Sequence, residues 1–400
     1  MPAAAHEQAY SIPADFAADM RGWRTRALLA GAAALILSII GGLFNADQFY
    51  HSYIWSYMFY IGVPLGSAAM LMLQYLTGGA WGVVIRRPCE AAARTLPLVL
   101  LLFIPIVIGM PHLYSWAHPD LVAHDPVLQH KHVYLNVPFF LIRAGVYFLG
   151  WIGIAHLLYK WSGDQDRGDT RAASRLAAIS GPGLIFYGFS VTFMAVDWIL
   201  SINPHWFSTI FGLLFIAGEG LLSIAFLICV LVLLSSRPPM SEVLTDRHLH
   251  DVGKLLLTFV MVWAYFTFSQ LLVIWSGNLP EEIPWYLNRF AGGWQYMGMA
   301  LALVQFALPF ALLLSRDLKR NFKLLCWVAV VVIVMRFVDL YWMVAPDFHK
   351  QHFTVSWMDF LLPIGLGGIW LWAFLWQLEK RPLMPLGDPH LEEALEHGRE

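Results

Sequence analysis

The sequence predicts an all-α integral membrane protein with ten transmembrane helices. Hydrophobic residues make up 58% of its 400 residues and charged residues only 13%, whereas a soluble domain is about a quarter charged. The mean hydropathy is +0.60, and the apolar residues are gathered into long runs. A water-soluble protein is therefore excluded. The formal net charge of -2 gives no basic excess, so nucleic acid is not expected as a partner.

Ten runs are long enough to cross the hydrocarbon core, which needs about 20 apolar residues in a helix. They are 26–46, 50–77, 95–111, 136–159, 176–200, 206–234, 253–277, 292–315, 322–345 and 353–377. Because these runs are continuous rather than alternating, helices are expected and a β-barrel is not. The predicted organisation is a cytoplasmic N-terminal segment at 1–25, a membrane domain at 26–377 and a cytoplasmic C-terminal tail at 378–400.

The distribution of cations predicts the orientation, because Lys and Arg accumulate on the cytoplasmic side of membrane proteins. With both termini in the cytoplasm, most of the 25 Lys and Arg residues fall on that side. The opposite side keeps only Lys131, Arg289 and Lys350, and two further cations, Arg143 and Arg336, fall within spans. We therefore expect a multi-pass protein with both termini cytoplasmic.

The chain contains an internal repeat. Five residues of the second span, Ser52, Ile54, Trp55, Phe59 and Gly62, recur at constant spacing in the sixth as Ser208, Ile210, Phe211, Phe215 and Gly218. In the same order, 134–136 recurs as 286–288, and Val196-Asp197 recurs as 338–339. The copies are four spans apart and share one orientation, so the repeat is parallel. Two four-helix bundles, from helices 2–5 and 6–9, are expected between flanking helices 1 and 10.

Ionisable residues inside the predicted spans are the candidate functional residues, because a charge in hydrocarbon costs several kcal/mol. This criterion gives six candidates for a proton pathway, and Tyr341 is added as the seventh because it lies near Asp339. The seven are Arg143, His156, Asp197, Glu219, Arg336, Asp339 and Tyr341. No catalytic residue and no metal ligand is predicted.

Four of these residues allow more than one interpretation. Arg336 and Asp339 are three residues apart on one helix face, which fits a neutralised structural pair or part of a proton relay opening on the outer side. Asp197 stands at the equivalent place in the first copy. It belongs either to such a relay or to a cap on the turn at 203–205.

Glu219 is the most costly residue to bury, and Gly218 and Gly220 on either side leave room for another helix or a water molecule. Proton transfer, an interhelical hydrogen bond and substrate contact all fit this position. Its counterpart in the first copy is Val63, so the two halves differ here.

Three further features of the sequence are not assigned to the proton pathway or to a cofactor: the segment 79–94, the histidines of one loop and the cysteines. The stretch 79–94 is expected to form an interfacial amphipathic segment with Arg86 and Arg87 on its polar side. Histidines of the outer loop 112–135 favour a docking surface or a pH-sensitive loop over a metal site. The cysteines Cys89, Cys229 and Cys326 are too dispersed for a cofactor motif, so they are predicted to be small buried residues.

Two long strings resemble a known family. VDWILSINPHWFSTIFG at 196–212 and FTFSQLLVIWSGNLPEEIPWYLNR at 266–289 resemble the NrfD-like membrane subunits of bacterial alternative complex III, most of all the second of the two such subunits. The polysulfide reductase and nitrite reductase anchors are more distant relatives. The ten-helix layout and the doubled bundle extend this resemblance over nearly the whole chain.

The resemblance implies a subunit of a quinol:cytochrome c oxidoreductase in the bacterial inner membrane. It implies quinol oxidation and proton translocation by the complex, with haem c and iron-sulfur clusters on partner subunits and none on this chain. The implied partners are a sister NrfD-like subunit, an iron-sulfur subunit, multihaem cytochrome c subunits, membrane lipids and a terminal oxidase. Quinone or menaquinone would bind within the complex, and no quinone-site residue is assigned in this chain.

Two other functions compete with this one. A stand-alone secondary transporter or channel is disfavoured by the parallel repeat, and Gly181-Pro182-Gly183 in the fifth span has no counterpart in the ninth. A structural scaffold would instead use the outer loop 112–135 and residues 278–290 to hold partner subunits.

Overall fold

The computed structural model describes residues 10–349 and 352–397, and these residues contain ten helices that are long and apolar enough to cross a membrane. The helices are α1 (Ala14–Phe44), α2 (Ala46–Thr77), α3 (Arg86–Ile108), α4 (Val137–Asp166), α5 (Ala172–Trp198), α6 (Phe211–Leu234), α7 (Asp246–Gly277), α8 (Trp294–Leu314), α9 (Phe322–Phe348) and α10 (Met358–Leu378). No strand occurs among the described residues. The predicted all-α membrane fold with ten spans is confirmed.

Short polar residues and prolines set the helix ends. Asn45, Asn136 and Asn321 each accept a hydrogen bond from a backbone N–H in the first turn of α2, α4 and α9, which supplies a partner for a donor that the helix leaves free. In α3, Pro97 and Pro105 begin new helical segments, because proline has no N–H to continue the preceding turn. That helix therefore crosses in short pieces.

The segment 79–94 differs from its prediction. Its Arg86–Ala93 portion is the buried start of α3, and Arg86 and Arg87 are only 2% and 3% exposed. Arg87 pairs with Glu90 at 2.7 Å, and Arg86 pairs with Asp388. The polar face therefore meets internal ion partners rather than the membrane surface.

Both terminal segments contain residues that take part in the fold. Helix α1 begins at Ala14, within the segment 1–25 that was expected to precede the membrane domain. In the tail, Leu383 and Ala394 are buried, and Nε2 of His248 lies 3.0 Å from the carbonyl oxygen of Ala394. The tail thus packs against the bundle at the end that carries both termini, here called the terminal side.

Helices α2 and α6 form the centre of the molecule. Helix α2 contacts α5, α6 and α9, and α6 contacts α2, α5 and α9. Exchanging α2 with α6 and α5 with α9 leaves this set of contacts unchanged, as two copies of one bundle related by a pseudo-twofold axis would require. Helices α1 and α10 pack together beside α2, outside both bundles.

The two bundles meet where α2 and α6 approach most closely, at Gly66. A Cβ atom added there would lie 2.4 Å from the backbone oxygen of Glu219 and 2.2 Å from Oγ of Ser223. The Ser223 hydroxyl donates a hydrogen bond of 3.0 Å to the backbone oxygen of Val63. Small residues allow such close packing between membrane helices, and this contact fixes the height of Glu219 in the membrane.

We expect Gly66→Ala to destabilise the protein, because the new methyl group would meet backbone atoms of α6 that have no room to move. Overpacking of this kind costs about 1–3 kcal/mol, more than the roughly 1 kcal/mol that alanine gains over glycine in a helix. Thermal unfolding of the purified protein in detergent measures the effect. Gly145→Ala is the control, because nothing lies within 4 Å of its added Cβ. Equal melting temperatures for the two variants would contradict this account of the α2–α6 contact.

Candidate functional site

The first group of buried charges ties α4 to α5. Nε of Arg143 donates to Oδ2 of Asp197 at 2.8 Å, and Nη2 donates to Oδ1 at 2.9 Å. The Tyr147 hydroxyl donates a third hydrogen bond of 2.8 Å to Oδ2. Asp197 is fully buried. Its negative charge is neutralised by a bidentate contact with the guanidinium group, and the carboxylate accepts a further hydrogen bond from a hydroxyl group.

The arginine of this group is equally well satisfied. Nη1 of Arg143 donates to the backbone oxygen of Tyr134 at 3.0 Å. Its Cζ lies 3.9 Å from the centre of the Tyr134 ring and 4.4 Å from that of Phe139, within cation–π range. The Asp197 carboxylate thus pairs with α4 instead of capping the turn at 203–205. With both oxygens of Asp197 and all three nitrogens of Arg143 engaged, the group acts as a clamp between two helices.

The second group lies in the other bundle. Arg336 and Asp339 pair along α9, as their spacing predicts, and both are buried. Nε1 of Trp263 on α7 donates to Oδ2 of Asp339 at 2.9 Å. Arg336 also donates to Oδ2, so both contacts end on one carboxylate oxygen. The other oxygen, Oδ1, receives neither of them.

Glu219 joins this second group through Arg336. The Tyr187 hydroxyl on α5 donates to Oε2 of Glu219 at 2.7 Å, whereas the buried Oε1 has no hydrogen-bond partner among the described residues. Arg336 packs on the neighbouring Gly218, where an added Cβ would lie 2.2 Å from its Cζ. Arg336 also interacts electrostatically with Glu219. The order of groups is therefore Tyr187, Glu219, Arg336, Asp339 and Trp263, across four helices.

Two of the seven predicted residues lie apart from both groups. Tyr341 donates to the backbone oxygen of Thr354 at 2.6 Å and to Oδ2 of Asp359 at 3.3 Å, near the start of α10. His156 is on an exposed face of α4, with its Nδ1 3.3 Å from Nη1 of Arg94. The structure therefore brings three predicted residues together in the second group, Glu219, Arg336 and Asp339. Two more, Arg143 and Asp197, form the first.

The sequence did not predict a buried ion network on the terminal side. There Glu90 accepts hydrogen bonds from Nη1 of Arg87 at 2.7 Å and from the Ser162 hydroxyl at 2.5 Å. Arg87 also pairs with Asp166, and Arg381 of the tail lies 3.4 Å from Glu90. The i,i+3 spacing of Arg87 and Glu90 was the available signal, but their position between spans suggested a surface.

A second unpredicted contact bridges the bundles on the side opposite the termini. Asp347 accepts hydrogen bonds from Nη2 of Arg289 at 2.7 Å and from Nδ2 of Asn203 at 3.3 Å. Arg289 is fully buried, and burial lowers its pKa, although the charge of Asp347 opposes this. The sequence had marked Arg289 only as a cation of the outer loop.

The described residues contain no group of three or more His, Cys, Asp or Glu side chains arranged to hold a metal ion. Several histidines of loop 112–135 are engaged locally: Nδ1 of His112 lies 2.6 Å from Oδ1 of Asp47, and Nδ1 of His124 lies 2.7 Å from the backbone oxygen of Asp120. The predicted role of this loop in docking or pH sensing stays a prediction.

We expect Asp197→Asn to lower the free energy of unfolding by about 3–5 kcal/mol, the usual cost of removing one partner of a buried ion pair. The variant would leave the Arg143 guanidinium without its counter-ion inside the membrane. Denaturant unfolding in detergent measures the change. In Asp19→Asn, the lost contact is with Arg237 at an exposed position, and such pairs contribute about 1 kcal/mol or less. A similar small loss in both variants would show that the pair is not a clamp.

The sequence was also compared with models of known protein families and with curated proteins, and it matches none of them. The buried charges and the two quoted strings are therefore the observations from which a function is inferred.

Proposed function

We propose that the protein is a membrane subunit of a respiratory quinol:cytochrome c oxidoreductase in a bacterial inner membrane. In this proposal it supports quinol oxidation and moves protons through Glu219, Arg336 and Asp339. The observation that carries the proposal is the continuous group of ionisable side chains in the second bundle, with one oxygen of Glu219 unengaged. A subunit that served only as a scaffold would need no such oxygen inside the membrane.

The two strings that resemble NrfD-like subunits pack against each other, which adds support. Nε1 of Trp206 donates to the backbone oxygen of Glu282 at 2.9 Å. The rings of Trp206 and Trp285 stack with centres 4.7 Å apart. The Ser208 hydroxyl donates to Oε1 of Gln270 at 3.1 Å. The resemblance therefore covers one continuous region, as a shared fold would require.

The chemistry of the second group suits transient protonation. Glu219 and Asp339 each have one oxygen held by a neighbour and one that is not, so either carboxyl group can take up a proton without breaking an existing hydrogen bond. Arg336 lies between them and stabilises a negative charge on either side. By a helix rise of about 1.5 Å per residue, the two carboxyl groups are about 12–14 Å from the helix ends opposite the termini, so other groups or water must complete the path.

The partners proposed are those that the resemblance implies: a sister NrfD-like subunit, an iron-sulfur subunit and multihaem cytochrome c subunits, with lipids around them. A quinone would bind in the complex, and haem c and iron-sulfur clusters on the partners would carry the electrons. We assign no redox step to this chain. The proposed orientation keeps both termini in the cytoplasm, where most Lys and Arg residues would lie.

Glu219→Gln tests the proton pathway, because glutamine keeps the size of the side chain but cannot carry the proton. In liposomes containing the purified complex, we expect quinol-driven proton movement to be lost. The measurement is the number of protons moved per electron. Glu281→Gln removes an exposed carboxyl of the loop after α7 and should match the wild type. Unchanged proton movement and quinol turnover in Glu219→Gln would contradict the pathway and favour a scaffold.

The repeat supplies a second, matched test. Gly218→Ala would force the Arg336 guanidinium away from α6, whereas an added Cβ at the equivalent Gly62 lies at an ordinary 3.4 Å from Leu222. We therefore expect Gly218→Ala to impair proton movement by the complex and Gly62→Ala to retain it. Both variants add one methyl group at matching positions, so equal effects would show that the position of Arg336 is not required.

A further inference from the structure

One polar side chain inside the membrane has no part in the contacts described above. Gln305 is fully buried in α8. Neither its amide nitrogen nor its carbonyl oxygen makes a hydrogen bond with the described residues. Because an unpaired amide in a membrane interior is costly, polar residues there generally have a function.

The helix around Gln305 is distorted. Residues Leu301–Ala307 form a π-helix, in which the Leu308 N–H bonds to the carbonyl oxygen of Leu303, five residues earlier. The cause is visible in the sequence. Pro309 has no N–H to offer the carbonyl group of Gln305, four residues before it, and its ring would clash with that carbonyl in a regular α-helix. Single π turns are rare and occur frequently at functional sites.

The widened turn faces the second group of buried charges. It packs against α9 and α7, which carry Asp339 and Trp263. The Gln305 carboxamide is a neighbour of the Asp339 carboxylate, but it does not meet the geometry of a direct hydrogen bond to it. Since Arg336 and Trp263 both donate to Oδ2, the oxygen that remains for a further donor is Oδ1. A water molecule fits these requirements, because it can accept from the amide nitrogen and donate to the carboxylate.

We propose that Gln305 is a positioning residue that holds a water molecule against Oδ1 of Asp339. Its role in transport rests on the proposed function of this group. A proton leaving the neutral carboxyl group passes to the water molecule, which gives a carboxylate and a hydronium ion. The carbonyl oxygen of Gln305 then accepts a hydrogen bond from that ion. The π turn thus supplies the next proton carrier after Asp339.

The first bundle shows what a closed site looks like. Both oxygens of Asp197 are occupied by Arg143, and Oδ2 also accepts from Tyr147. No glutamine amide approaches it among the contacts of the described residues. The two equivalent aspartates therefore differ in one feature: Asp339 has an oxygen that is open to water, and Asp197 has none.

Infrared difference spectroscopy of the purified complex tests the water site directly, with ordinary water exchanged for water labelled with 18O. We expect an O–H stretching band that shifts with the label and disappears in both Asp339→Asn and Gln305→Met. Methionine keeps the length of glutamine without its polar atoms. Gln305→Asn, which keeps an amide, should retain the band at a shifted frequency. Gln377→Met is the control, because Gln377 is a half-buried glutamine whose carbonyl oxygen is buried and has no partner among the described residues, at the terminal end of α10.

Proton movement in liposomes gives the second readout. We expect protons moved per electron to fall at least twofold in Gln305→Met and to stay at the wild-type value in Gln377→Met. If no labelled band is lost in Gln305→Met, the water site is overturned. If the wild-type complex moves no protons but the labelled band is present there and is lost in Gln305→Met, the water site stands and the proposed function fails. Gln305→Asn keeps the test valid if the methionine variant does not assemble, because loss of the shifted band there also overturns the proposal.

Discussion

A charge inside a membrane has to be neutralised by its neighbours, and this constraint organises the whole molecule. On the terminal side the charges of Arg87 and Arg381 neutralise those of Glu90 and Asp166. On the opposite side Arg289 is held by Asp347. Between these ends, each bundle carries one arginine–aspartate pair. The helices pack in positions that bring the partners together, so ion pairing specifies the arrangement that apolar surfaces alone would leave open.

The contact of α2 with α6 determines where the functional group lies. At Gly66 the backbone of α2 touches the carbonyl group of Glu219, and at Gly62 an added Cβ would lie 3.5 Å from the Cγ atom of the glutamate side chain. That side chain projects toward Tyr187 on α5 and toward Arg336 on α9. The same central helix thus carries the interface between bundles on one face and the polar group on another, and a shift of one would displace the other.

The sequence predicted the fold well and the site in part, for a physical reason. Membrane helices are recognisable by their length and apolarity, and the repeat predicted two four-helix bundles but not which helices meet between them. Single buried charges such as Glu219 were also recognisable. The residues that contact these charges were not recognisable, because in the sequence a residue such as Trp263 or Gln305 cannot be distinguished from one that only packs between helices. Arg86 was assigned to a surface because its counter-ion, Asp388, is far away in the chain. Arg87 was assigned to a surface because its pair with Glu90 lies between two predicted spans.

The two halves of the repeat each have an aspartate at the equivalent position, and the two aspartates differ in where their arginine partner lies. Asp197 takes its arginine from another helix, so its ion pair joins α4 to α5, and any change of charge there would strain the bundle. Asp339 takes its arginine from its own helix, one turn away. The ion pair itself lies within one helix, and Trp263 links its carboxylate to α7. A proton can therefore enter or leave the second site without separating helices. The place of the arginine, on a neighbouring helix in one half and on the same helix in the other, thus gives one rigid half and one half suited to changing its charge.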